Sequence, residues 1–291
     1  MVEPTIIEAH SHYVMGVLFS SDNSSLISVG MDNFIKSWVA PNWTLRQAVE
    51  GHAKSINTLA LSPNNKVLAT GSTDTSIRLW EFSSFKLINT IIAHKKTIAS
   101  IDISPEGKFL ASASYDTRVK LWDLATGKGL TTLKAHKKNA VSVAFSRDGK
   151  TLASGGIGDE ILLWSVPDGK LVNKLKGHEI AVNSLKFSSD GQFLASAGAE
   201  GAIIIWYVKD WSKVLTIKLE QKGVYPLAFS PDSKILAVGM NYNVQMYNTQ
   251  NSNLTQEFPL RVKGIYGLDF SSDGRLLAVA AADKKIRIYA I

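Results

Sequence analysis

The sequence predicts an all-β chain, a seven-bladed β-propeller of four-stranded antiparallel blades, and three observations carry that expectation. Five of the six histidines, His10, His52, His94, His136 and His178, stand 42 residues apart. Five tryptophans, Trp38, Trp80, Trp122, Trp164 and Trp206, keep the same step. Each copy holds four short strand patterns separated by turn signals. The turn motif extends the series to seven copies, with Tyr247 and Tyr289 at the tryptophan place and Glu220 and Arg261 at the histidine place. The copies account for all 291 residues, so one domain over 1–291 is expected.

The elements follow in order from any histidine. After His136, "AVSVAFS" is an apolar inner strand and "RDGK" a tight turn. Then come "TLASGG" as the second strand, a short loop, "EILLW" as the third, the turn "VPDGK", and "LVNKLK" as the outer strand. Pro63, Pro105, Pro167 and Pro231 fall at strand edges or turns, where a missing N–H does no harm. The last copy stops at "KKIRIYAI", a third strand, while the chain begins with "PTIIEA", which fits a fourth. Thr5–Ala9 is therefore expected to be the outer strand of blade seven, pairing beside Lys285–Ala290. Such pairing closes the ring and removes an open strand edge.

Composition narrows the function. The chain is 45% apolar and 20% charged, ordinary for a globular protein with a sizeable core. It has no cysteine, which excludes disulfides, cysteine-based zinc sites and thiol catalysis. No run of about 18 apolar residues suggests a membrane helix, and the opening "MVEPTIIEAH" lacks a secretory pattern. A cytoplasmic location is the expectation, or a nuclear one in a eukaryotic cell. The net charge of +7 suits acidic partners and a plain lysine-rich surface equally. There is no Walker A sequence, no G-x-G-x-x-G and no H-E-x-x-H, so no cofactor, metal or small-molecule substrate is expected.

With its "GH" or "AH" starts, "SPDG"-type turns and "LW" or "LWD" ends, the whole chain resembles the WD40 repeat family. The literal Trp-Asp pair survives only at Trp122-Asp123, and copies six and seven have lost both histidine and tryptophan.

The segment "SYDTRVKLW" raises a question, because Ser112, Asp116 and His94 are the ingredients of a Ser–His–Asp hydrolase. Internal comparison answers it. A hydroxyl, Ser28, Thr70, Ser112, Ser154 or Ser196, stands four residues before the acid place in the five copies that have His and Trp. In the other two copies the same place holds Val238 and Val279. Residues that come and go together are expected to touch, since an unpaired buried polar group costs about 1–3 kcal/mol. The full sets are Asp32/His10/Ser28/Trp38, Asp74/His52/Thr70/Trp80 and Asp116/His94/Ser112/Trp122. Copy four shifts its acid to Asp159, with Gly158 in the matching place, and copy five offers Glu200. The resemblance implies a structural network at these positions, and a catalytic triad would be built once, not five times.

The resemblance also implies that partners contact the rim of the top opening. The positions are three and five residues after the histidine and the one before the acid. They place Tyr13, Met15 and Met31 in blade one, Tyr115 in blade three, Tyr225 and Met240 in blade six, and Tyr266 in blade seven. Blades six, seven and one adjoin in a closed ring, so most of these side chains would form one patch of residue types common at binding surfaces. Lys54, Lys95, Lys96, Lys137 and Lys138 follow the histidines and would make a basic arc over blades two to four. Trp43, Phe85 and Trp211 share one place in the third turn, either as anchors of the outer strands or as a second contact face. The expected function is a non-enzymatic scaffold for other proteins, acidic segments among them. A nucleic-acid-associated subunit using the lysine arc is the second reading. A propeller enzyme is the third and would need a polar cluster in the central channel, of which the sequence gives no sign.

Overall fold

The computed structural model describes residues 3–134, 136–223 and 226–291. Among these residues 28 strands form seven antiparallel four-stranded sheets. Blade one runs outward through Val14–Phe19, Ser25–Gly30, Phe34–Val39 and Thr44–Glu50. Blades two to six repeat that order. Blade seven is composite: its inner three strands are Ile265–Phe270, Leu276–Ala281 and Lys285–Ala290, and its outer strand is Thr5–Glu8. Thr5 pairs with Ile288 and Glu8 with Lys285, and the Ala9 N–H continues the contact to Lys284 O at 3.1 Å. The chain start thus closes the ring beside the expected strand.

Burial follows position in the blade. Second strands such as Ser25–Gly30 and Phe109–Ser114 are buried at every residue, because neighbouring blades cover both of their faces. Outer strands are mostly exposed, as in Thr44–Glu50. The core therefore lies between blades. Where the ring closes, Ile7, Ile286 and Ile288 of blade seven pack with Val17, Phe19, Leu26 and Trp38 of blade one.

Turn chemistry explains the recurrent Asp-Gly. The last residue of the turn from inner to second strand takes a left-handed φ, 71° at Gly107 and 69° at Gly149, which glycine adopts without a Cβ penalty. Inner strands share a second irregularity. In six blades the pairing of inner and second strand skips one residue near the top, between Val14 and Gly16 in blade one and between Ile265 and Gly267 in blade seven. Such a bulge frees one residue from the ladder and re-aims its side chain.

Candidate partner-binding site and the network beneath it

The hydroxyl, histidine, tryptophan and acid of each set meet under the top loops. In blade three the Trp122 indole N–H donates to Ser112 Oγ at 2.9 Å, and His94 Nε2 lies 2.7 Å from the same oxygen. His94 Nδ1 is 3.0 Å from Asp116 Oδ2. Because Trp only donates, the serine hydroxyl proton is left for Nε2, and the imidazole proton sits on Nδ1 facing the carboxylate. Blades one and two repeat this with Asp32 at 2.8 Å and Asp74 at 2.9 Å. In blade five Glu200 takes the place of aspartate. Burial lowers the pKa of His52 and His94, against the pull of their aspartates, so neutral rings run the chain of bonds. For Asp32 burial acts upward, but His10 and the Ser11 and Phe34 N–H groups outweigh it and hold the carboxyl at about 2.

The atoms of a Ser–His–Asp triad are therefore present in nearly the right connectivity. What is missing is access. Ser28, Thr70, Ser112, Ser154 and Ser196 are each 0% exposed, and each accepts a tryptophan N–H. A nucleophile sealed on all sides cannot meet an acyl group. In blades six and seven Val238 and Val279 fill the hydroxyl place, fully buried. The Tyr289 ring packs tilted against Phe258 with centroids 4.4 Å apart, and Arg287 pairs with Asp283 at 2.5 Å.

Blade four departs from the expectation. Ser154 bridges Trp164 and His136, both at 2.8 Å, yet Asp159 does not bond His136. Gly158 holds the acid place at φ 148°, and the chain passes on with the Asp159 carboxylate outside hydrogen-bonding reach. Sequence reading also missed a basic residue two before the tryptophan. Lys36, Arg78 and Lys120 donate to the carbonyl preceding the histidine, Ala9, Gly51 and Ala93 respectively, at 2.6–3.0 Å. The recurrence of Lys or Arg at that place was the available signal.

Above this network lies the rim. The residues freed by the bulges include Met15 and Tyr266, five places after the histidine position, so the bulge itself turns these side chains toward the channel mouth. A bond across the top fixes the other two rim positions: Met31 N–H donates to Tyr13 O at 2.9 Å, and Tyr115 N–H to Thr97 O at 3.0 Å. Tyr13 and Tyr266 stack with ring centroids 5.8 Å apart, and they are 37% and 38% exposed. His12 adds an edge contact to Tyr13 at 4.6 Å. Tyr115 is exposed on blade three, while Met15 and Met31 are half-buried at the mouth.

Met240 corrects the expectation, being 4% exposed. The turn in blade six is one residue shorter, so Met240 N–H bonds Asn243 O within the ladder, where blade one has Gly30. Tyr225 lies outside the described residues. Lys54, Lys95, Lys96, Lys137 and Lys138 are all exposed. At the opposite end, Trp43 and Phe85 are buried with left-handed φ values of 53° and 51°, and Trp211 packs on Phe187. They anchor the turns into the outer strands, with Trp211 only partly buried.

The channel corrects another expectation. It is a cavity of about 950 Å³, and Asp102, Lys186 and Asp269 do line it. Both carboxylates are engaged: Asp102 accepts the Phe145 N–H and Asp269 the Phe19 N–H, each at 2.8 Å, tying one inner strand to the next blade. The recurring acid two residues before the serine, in "IDIS" and "LDFS", was the signal. Burial pushes the Asp269 carboxyl up to about 6, against Lys186 and the N–H donors. The folded state then holds this proton more tightly than the unfolded chain. Its contribution to stability therefore falls as pH rises from about 4 to about 6. Asp269→Asn keeps an acceptor for Phe19 and removes the buried charge. Thermal denaturation across pH 4–8 should show a flatter profile for the variant, with an equal or higher Tm at pH 7.5. Parallel profiles would mean that Asp269 titrates normally.

Six stretches of the chain match the WD40 family model, described as WD domain, G-beta repeat: residues 2–38, 43–81, 85–123, 127–165, 169–207 and 254–290. The gap falls on blade six, whose histidine, hydroxyl and tryptophan are all replaced. Comparison with curated proteins gives no match.

Proposed function

The chain belongs to the WD40 repeat family, and from that premise we propose that it is a non-enzymatic scaffold, a subunit or adaptor holding protein partners on its top rim. Propellers of this family commonly serve as protein-interaction platforms. The observation that carries the reading is the stacked Tyr13–Tyr266 pair, more than a third exposed and set at the junction of blades seven and one. Paired tyrosines present rigid apolar area with a polar tip, the composition of interface hot spots. Met15 and Met31 beside them supply adaptable surface. The buried networks support the same reading from below, because they hold the rim loops with no chemistry left over.

The exposed lysines of blades two to four favour a second reading, contact with a nucleic-acid backbone. Affinity capture from the native cell separates the two. The scaffold reading expects protein partners that survive nuclease and rising salt and that are lost from a Tyr13→Ala/Tyr266→Ala variant of unchanged thermal stability. Capture that collapses steeply with salt and ignores the tyrosines would favour the nucleic-acid reading.

A further inference from the structure

Blade four carries an incomplete network at the floor of a pocket. In blades one to three the donors to the acid include histidine Nδ1 and the backbone N–H of the next residue, Ser11, Ala53 or Lys95, the latter at 2.9–3.2 Å. Blade four has the same two donors, His136 Nδ1 and the Lys137 N–H. Neither has an acceptor among the described residues. Since Ser154 takes the tryptophan N–H and gives its own proton to His136 Nε2, the imidazole proton again sits on Nδ1.

The space that an aspartate side chain would occupy is open. A Cβ built on Gly158 meets no heavy atom within 4 Å. Over it lies a cavity of about 370 Å³ lined by His136, Lys137, Lys138, Lys174 and Lys176, with Asp159 and Glu160. Glu160 is taken up by Lys174 at 3.1 Å and Lys176 at 3.6 Å, whereas Lys137 and Lys138 make no ion pair among the described residues. The pocket thus joins two unmet donors to an excess of positive charge.

We propose that this pocket binds a carboxylate from an acidic side chain of a protein partner, completing from outside the network that blades one, two, three and five complete internally. Carboxylate is favoured over phosphate because the same donor pair already holds a carboxylate in three blades of this chain. The proposal rests on the scaffold reading only for the partner being a protein, and the pocket is separate from the tyrosine patch.

The test is NMR of the full chain with ¹⁵N-labelled histidine, titrated with a terminally blocked hexaglutamate peptide, inorganic phosphate and oligothymidylate. Hexaglutamate should move the His136 Nδ1 signal and leave His10, His52, His94 and His178, which already face internal acids, unmoved. Gly158→Asp should abolish the response by supplying the acid from within. The φ of 148° is one that a side chain strains. Lys137→Glu/Lys138→Glu, changed at exposed positions, therefore provides the second variant and should weaken binding by roughly tenfold or more. A His136 signal that stays still under hexaglutamate overturns the proposal, as does a response unaffected by either variant. Movement with phosphate or oligothymidylate alone overturns it in favour of a phosphate site. Tyr13→Ala/Tyr266→Ala should bind hexaglutamate normally, so failure of the rim reading and failure of this one are separable.

Discussion

Removing residues 1–8 should lower the melting temperature of the entire ring by on the order of 10 °C, in one cooperative transition. Thr5–Glu8 gives blade seven its outer strand through four paired residues. Ile7 is 7% exposed and packs in the cluster that joins blade seven to blade one. Burying one such side chain is worth about 2 kcal/mol, and each lost ladder bond about 1 kcal/mol. Deletion also bares the edge Lys285–Ala290, a template for pairing with another chain. Calorimetry and light scattering read both effects. A drop smaller than about 2 °C with no aggregation would mean that blade seven is stable with three strands.

Ser112→Ala should cost about 2–4 kcal/mol, more than removal of a surface hydroxyl ever does. The mutation strands two groups of buried residues at once, Trp122 Nε1 and His94 Nε2. Blade seven shows the apolar solution, with Val279 and Tyr289 buried and Arg261 at the histidine place turned out to solvent. Ser112→Val/Trp122→Tyr/His94→Arg should therefore be less destabilised than the sum of its three single changes. Urea denaturation of the four variants measures that coupling. Strict additivity would mean that the residues are neighbours without being a unit.

Most of the ring was legible because its physics repeats. A 42-residue step in His and Trp, turn residues at fixed offsets and a strand missing at one end but present at the other leave few folds open. The network was legible for the same reason, since Val238 and Val279 mark where the polar set is dropped together. What escaped depended on one-residue geometry. Met240 moved from rim to core because a turn shortened by one residue, and Asp159 missed His136 because Gly158 precedes it. Nor does periodicity say which way an aromatic turns in a left-handed turn, which is why the sequence leaves a contact face open beside the anchoring role of Trp43 and Phe85. Asp102 and Asp269 share one place in only two of the seven copies, a fainter signal than the 42-residue step, though each ties one blade to the next.

We propose that the partner of this protein sits on the top rim at blades seven and one. A photo-reactive phenylalanine analogue at position 13, compared with the same group at exposed position 209 on the opposite end, tests that directly in the native cell. The scaffold reading predicts a reproducible protein adduct from position 13, competed by unlabelled wild type but not by Tyr13→Ala/Tyr266→Ala, and none from position 209. Adducts from position 209 alone, or equal competition by the variant, would contradict it.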